Sequence, residues 1–491
     1  MKTLMQTLTL SAPEYQELKE CFQGGFTHAN AHRIGITHTK VGSFDFSSSY
    51  PAVMVAFKYP MSKGKYVGTI TRDQLMELCK NYCCMFRVRA TNVIPKNNFE
   101  HPLSLSKCRN EDGKPLRYKT KVDGENKHHN VTLDNGRIIT AEYLETTMTE
   151  QDFFTYERYY DQETLELFDC YIYYKAYLPT PFIKSVLKLY KDKTELKGIP
   201  GREVDYLLSK EMLNSTYGMT VTDIVRENLE YSMNDPRGFT SNYEDEKYDE
   251  DEYLGAQIQR YNSNPYRFLF YPWGVWITSY ARANLFSGIR SIGEDYIYSD
   301  TDSIKFTNVE KHMDYIETYN KDIMEKLRVA CKYHKIGFCA TFPTNSLGEK
   351  KQLGIWDFEG VYDEFKTLGA KRYMWRKGDK YSITVAGINK NSGKDFLVNE
   401  ANRINERRKS KTNLFSPFDL FNLDLVVPKE YSGRLSLTYI DDEIEGDIKD
   451  YLGNEYHYHE LSGIHMESSD YSFNPVDNFL EYLFTIREER W

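Results

Sequence analysis

Two short runs of aromatic and β-branched residues, Tyr296-Ile297-Tyr298 and Ile304-Lys305-Phe306, flank the polar stretch Ser299-Asp300-Thr301-Asp302-Ser303. That pattern predicts a β-hairpin with a tight polar turn. Upstream, Val41-Gly42-Ser43-Phe44-Asp45-Phe46 reads as a strand, and Ser47-Ser48-Ser49-Tyr50-Pro51 reads as a helix start with serine caps and proline in the first turn. Between residues 58 and 170 strand-like pieces alternate with polar turns such as Asp134-Asn135-Gly136, which predicts an inserted, largely β subdomain. Helical period returns over residues 182–194 and again over 202–217. In the second of these helices Lys210, Asn214 and Tyr217 share one face; Val204, Leu208 and Met212 line another, which is expected to pack inward. A helix over 272–290 has Trp273, Trp276, Tyr280 and Leu285 on its apolar face, with Thr278 and Arg282 together beside it. Residues 381–387 alternate as a strand. The remainder mixes a basic helix over 402–411, short strands, a surface segment Asp441-Asp442-Glu443 and a terminal helix.

A chain of 491 residues is too long for one ordinary core, so several subdomains are expected. With 40% hydrophobic and 27% charged residues it reads as soluble and globular, and it has no apolar run long enough to cross a membrane. The first eleven residues lack the features of a secretory signal, which points to the cytoplasm, or to the host cytoplasm if the source is viral. Eight cysteines are spread without zinc-finger spacing and are expected to be reduced. A net charge of −9 argues against a generally basic nucleic-acid binder, yet not against a locally basic groove. Much of the negative charge lies in residues 244–252, whereas lysines and histidines collect at Arg117-Tyr118-Lys119-Thr120-Lys121 and Lys127-His128-His129. The acidic run is expected to be an exposed loop.

Asp300 and Asp302, one residue apart, point to the same side of an extended backbone. Like charges held that close raise each other's proton affinity unless a cation intervenes, and Mg²⁺ suits carboxylate oxygens. An isolated Asp-x-Asp is more often a polar turn, so the rest of the chain decides. Asp45 lies at a strand end beside a helix N-terminus, where backbone N–H groups can take a phosphate. Three carboxylates from adjacent strand ends, with a Lys-rich helical pair between them in sequence, suit two-metal nucleotidyl transfer in which Lys210 neutralises a triphosphate.

The motifs carry a resemblance. Asp45-Phe46-Ser47-Ser48-Ser49-Tyr50-Pro51 resembles the first palm motif of family B DNA polymerases. Lys210-Glu211-Met212-Leu213-Asn214-Ser215-Thr216-Tyr217-Gly218 resembles their fingers motif, and Tyr298-Ser299-Asp300-Thr301-Asp302-Ser303 their second palm motif. Order and spacing resemble the protein-primed branch found in small tailed phages and linear plasmids. Phe22-Gln23-Gly24-Gly25 resembles that branch's Tyr-x-Gly-Gly motif, Thr278-Ser279-Tyr280-Ala281-Arg282 its template-primer motif, and Lys371-Arg372-Tyr373 its Lys-x-Tyr motif.

The resemblance implies an α+β right-hand polymerase fold of palm, fingers and thumb with two insertion subdomains. The palm would comprise 1–57 and 272–399, the insertions 58–170 and 219–271, the fingers 171–218, and the thumb with the C-terminal region 400–491. It further implies that Asp45 and Asp302 are the principal ligands of two Mg²⁺ ions, for which Mn²⁺ can substitute, with Asp300 auxiliary. Ser48, Tyr50, Lys210, Asn214 and Tyr217 would bind the nucleotide, with Tyr50 excluding a 2′-hydroxyl. Gly24, Gly25, Thr278, Arg282, Lys371 and Tyr373 would contact DNA.

The implied partners are template-primer DNA, deoxynucleotides and a priming protein, with no membrane. Phe22 replaces the expected tyrosine, and Tyr206 and Gly198 stand where the family often has basic residues. The family's exonuclease domain precedes the glycine-pair motif, and here 21 residues precede Phe22. No proofreading by this polypeptide is therefore expected: either a separate chain supplies the exonuclease, as in a split gene, or this is a truncated product. The expected function is a DNA-directed DNA polymerase replicating viral or plasmid DNA. The alternative is an inactive split half that binds DNA or a priming protein.

Overall fold

The computed structural model describes residues 2–116, 131–226, 229–231, 239–241, 249–408, 414–449 and 455–473. The basic clusters at 117–121 and 127–129, the acidic run through 248, the end of the basic helix at 409–411 and the expected terminal helix lie outside the described residues. The rest falls into two compact units, one built from Met1–Thr222 and Pro265–Lys380, the other from Asp223–Asn264 and Tyr381–Asn474. No helix among the described residues is long and apolar enough to cross a membrane.

The first unit is organised by an antiparallel sheet. Its strands run in the order Thr27–Ala29, Tyr296–Asp300, Ser303–Phe306, His38–Phe46, Trp356–Gly369 and Arg372–Lys377. Inward-facing Phe44, Ile304, Phe306 and Trp356 are buried with Leu285 and Ile289 of the helix Tyr271–Ile292. The Phe46 and Trp356 rings stack with centroids 3.6 Å apart. That helix is covered on nearly all sides: Trp273, Trp276 and Tyr280 are buried on one face, and Val275, Ser279, Arg282, Phe286 and Ile289 on the others.

A second sheet holds Lys58–Pro60, Thr164–Tyr177, Tyr82–Pro95, Arg137–Thr149 and Val131–Asp134, with Lys65–Ile70 paired beside Thr164–Tyr177. The β character expected of the inserted region is present, and its last strand runs on to Tyr177. Two helices follow, Thr180–Leu196 and Glu203–Gly218.

The sequence expectation fails on the second helix. Val204, Leu208 and Met212 are 69%, 57% and 58% exposed, and Leu213 is the buried residue. Their spacing makes them share a face; it does not supply a partner to cover it.

Ser48 departs from expectation too. It precedes the helix Ser49–Ala56 with φ 59°, and its hydroxyl makes no capping bond. In the second unit the helix Glu250–Ser263 is capped by Asp249, so residues 249–252 begin a helix rather than a loop. The basic helix begins earlier than expected, spanning Lys390–Arg408. Asp441, Asp442 and Glu443 lie within a long antiparallel ribbon of Arg434–Lys449 and Glu455–Ser469.

Candidate active site

The sheet register brings the carboxylates together. Ser303 pairs with Asp45, Asp300 pairs with Thr27, and the Phe46 N–H donates to the Asp302 carbonyl at 2.7 Å. Asp45 and Asp302 thus share one end of adjacent strands. Burial, then repulsion from Asp302 and Glu359, raises the pKa of Asp45; burial, then Asp300, raises that of Asp302. Lys305 and Lys193 oppose both shifts. Lys305 is itself buried and donates to Glu359 at 3.4 Å, and Ser43 donates to the same oxygen at 2.6 Å.

Asp300 is differently engaged. Its carboxylate accepts from Thr27 Oγ1 at 2.8 Å and from Lys371 Nζ at 2.5 Å. Among the described residues no group of three or more His, Cys, Asp or Glu side chains is gathered to hold an ion. Asp45 and Asp302 nevertheless fit a hard divalent cation. They are oxygen donors, desolvated and mutually repelled, and a cation between them relieves both penalties.

Thr301, at the turn, has φ 56°, a left-handed conformation that is costly for a β-branched residue. It is held there by its N–H donating to the Phe26 carbonyl at 2.7 Å. Gly25 makes the approach possible: a Cβ on it would lie 2.7 Å from Thr301 Cγ2, whereas one on Gly24 would meet nothing within 4 Å. We therefore expect Gly25→Ala to overpack the turn at a cost of about 1–3 kcal/mol and to slow catalysis, with Gly24→Ala near neutral. Thermal melts and turnover of the two variants side by side check this; equal effects would remove the Thr301 contact as the reason.

Two residues expected to contact DNA are buried and bonded within the chain. Arg282 is 5% exposed; its guanidinium grips both oxygens of Asp152 at 2.8–3.0 Å and donates to the carbonyls of Gln23 and Gly24, at 2.9 Å for the latter. Thr278 is fully buried, its hydroxyl bonded back to the Val275 carbonyl at 3.0 Å. Both lie on a helix enclosed on most sides, so Arg282 positions the glycine-pair loop and Thr278 packs. Lys371 is half exposed and sits on Asp300, and the Tyr373 ring packs on Tyr298 with centroids 4.9 Å apart.

On the other side of the carboxylates, Tyr50 stacks on Tyr217 with ring centroids 4.3 Å apart and 28° between planes. Burial raises the pKa of both phenols. Lys210 is half-buried and Asn214 exposed.

Lys193 is the residue that sequence reasoning missed. From the helix Thr180–Leu196 its Nζ donates to Ser48 Oγ at 2.8 Å, which accounts for the left-handed serine's lack of a cap. Burial, then the nearby Lys197, lowers its pKa, Lys210 adds to that, and Asp45 and Asp302 oppose it. The available signal was its position between Tyr190 and Thr194 on the buried face of a helix whose other lysines point outward.

A buried ionic cluster lies behind the hairpin. His28, paired in register with Ser299, has Nδ1 3.2 Å from Glu100 and Nε2 3.5 Å from Asp134. Burial alone would strip its proton, but Asp134 and Glu100 override that and push its pKa up to about 9. Tyr296, on the hairpin's first strand, donates to Glu100 at 2.8 Å, and the Arg137 guanidinium lies 4.4 Å over the Phe26 ring.

A family model described as DNA polymerase type B, organellar and viral, matches residues 2–262. No curated protein matches the chain significantly. Among solved structures, phi29 DNA polymerase in an orthorhombic crystal form superposes with TM-score 0.55 at 16% identity, over 95% of this chain and 64% of that one. The phi29 ternary complex with primer-template DNA and incoming nucleotide gives 0.52 at 17% identity, over 93% and 63%. The phi29 complex with single-stranded DNA gives 0.55 at 16%, over 95% and 63%. The chain spans a little under two thirds of the length of these phi29 chains.

Proposed function

Since the chain belongs to the organellar and viral type B DNA polymerases and has their right-hand fold, we propose that it extends a primer 3′-hydroxyl with deoxynucleotides on a viral or plasmid DNA template. The observation that carries this reading is the convergence of Asp45 and Asp302 with Lys193 on one side and the Tyr50–Tyr217 pair beside them. Asp45 and Asp302 would hold two Mg²⁺ ions, which when bound activate the 3′-hydroxyl and neutralise charge on the departing pyrophosphate.

The chain's own residues do the positioning. Lys193 and Lys210 present cations to the triphosphate, where charge neutralisation is the main requirement of phosphoryl transfer. Tyr50, backed by Tyr217, forms a rigid aromatic floor for the sugar and leaves no room for a 2′-hydroxyl. Lys371 ties Asp300 to the strand that follows, beside which the primer terminus would lie, with Tyr373 packed behind. A priming protein is the expected donor of the first hydroxyl.

Template-dependent, Mg²⁺-dependent extension of a labelled primer by the isolated chain is the test. Failure to extend on any template, with Mg²⁺ or Mn²⁺, overturns the reading. Tyr50→Val is expected to lower the deoxy-over-ribonucleotide preference in kcat/KM by about 100-fold, the scale on which a pocket discriminates small groups. An unchanged ratio would take Tyr50 out of the sugar pocket.

A further inference from the structure

A cavity of about 660 Å³ lies away from the carboxylates, between the helix Thr180–Leu196 and the segment 336–344. Its apolar lining includes Leu187, Phe342 and Pro343. Its rim is basic. Lys184, Lys188 and Lys191 line it from successive turns of the helix, and Lys350 faces them with its ammonium 5.4 Å over the Phe342 ring. The one acid in the lining, Glu195, lies 3.8 Å from Lys191 and both are substantially exposed, so the pair is weak. Among the described residues Lys184, Lys188 and Lys350 have no carboxylate partner, in a chain whose net charge is −9. The walls are tied together: Tyr190 donates its hydroxyl to the Lys351 carbonyl at 2.9 Å, and Ser346 donates to the Lys197 carbonyl at 2.7 Å. The cavity is therefore held open by the fold itself.

We propose that this cavity binds a stretch of single-stranded DNA, with a base against Leu187, Phe342 and Pro343 and phosphodiesters on Lys184, Lys188 and Lys191. Lysines spaced over seven residues span about 10 Å along a helix. A linear array of that kind matches a chain of phosphates better than the compact charge of a triphosphate. Apolar and aromatic surface beside a basic track is the chemistry by which single strands are held without regard to sequence. The site is distinct from the catalytic centre: Lys193, whose Nζ bonds Ser48 Oγ beside the carboxylate-bearing strand, projects from the opposite side of the same helix, nine residues on from Lys184. The proposal rests on the polymerase reading only for the kind of ligand.

Cys339 supplies the readout. It lines the cavity and is exposed, whereas the other cysteines are buried or, at Cys79, half-buried. Its alkylation by a fluorescent maleimide, followed by mass spectrometry of the labelled peptide, reports whether the cavity is filled. We expect an oligothymidylate strand to slow Cys339 labelling and dTTP not to. Lys184→Gln with Lys188→Gln should then weaken the protection and lower its salt slope, log affinity against log salt, by about 1.4, or 0.7 for each lost single-strand phosphate contact. Primer extension by that double variant should stay at the wild-type rate. The Asp302→Asn chain should be protected as well as wild type, which separates this site's failure from failure of the polymerase reading. No protection, protection that survives the double substitution unchanged, or equal protection by dTTP would each overturn the assignment.

Discussion

Asp302→Asn is expected to lower the rate of primer extension by at least about three orders of magnitude while leaving the folded chain as stable as wild type or more so. A carboxylate that holds a catalytic metal contributes several kcal/mol of transition-state stabilisation, and each 1.36 kcal/mol is tenfold in rate. The backbone of Asp302 is fixed independently of its side chain, through the Phe46 N–H and the Asp300 carbonyl, to which the Asp302 N–H donates at 2.6 Å. The amide would therefore sit where the carboxylate does. Stability moves the other way because the native carboxylate is desolvated and repelled by Asp300, which is why its pKa is raised. A group ionised at neutral pH with a raised folded pKa opposes folding, and a neutral isostere removes that opposition. Single-turnover extension and a thermal melt of the same preparation check both halves. Extension within tenfold of wild type would remove Asp302 from the metal site, and a clearly lowered melting temperature would show that its charge supports the fold.

Glu100→Gln carries the second large effect, from a residue outside the catalytic centre. Glu100 is fully buried and its carboxylate takes His28, the Tyr296 hydroxyl and the His101 N–H, the last at 2.9 Å. Removing the Glu100 charge leaves His28 facing Asp134 alone, 3.5 Å away, and weakens the acceptor that Tyr296 and the His101 N–H share, at a cost of about 1–3 kcal/mol. The strand bearing His28 also carries Thr27, which holds Asp300, and it follows Phe26, which holds Thr301. The same substitution should therefore lower kcat with little change in the KM for nucleotide, because the hairpin shifts while Lys193 and Lys210, proposed to meet the triphosphate, do not. Urea denaturation and steady-state kinetics measure the two effects. A double-mutant cycle with His28→Gln should give less than the sum of the single losses. Additive losses would mean that His28 and Glu100 do not act as a unit.

Much of the site's chemistry was legible in the chain. An Asp-x-Asp between two aromatic strands, a second Asp before a Pro-containing helix start, and Lys210, Asn214 and Tyr217 at helical spacing are local patterns. Local patterns report the element and the face a side chain shares. They do not report what, if anything, covers that face. Thr278 and Arg282 share a face as expected and are buried, whereas Val204, Leu208 and Met212 share one and are exposed. Lys193 is one of several lysines on its helix, and only packing turned it toward Ser48 and the carboxylates. Asp134 comes from a stretch that reads as a polar turn, yet it meets His28, Glu100 and Arg137 in the interior.

By itself the sequence determined the kinds of elements, their order and the stock of carboxylates, lysines and aromatics on which the proposed nucleotidyl transfer draws. Tertiary structure alone decided which chemically equivalent side chains face the reacting centre, which are locked in ion pairs, and which remain free to meet a ligand. The physical reason is that helix and strand periods are set by bonds a few residues long, while burial and charge pairing depend on segments hundreds of residues apart.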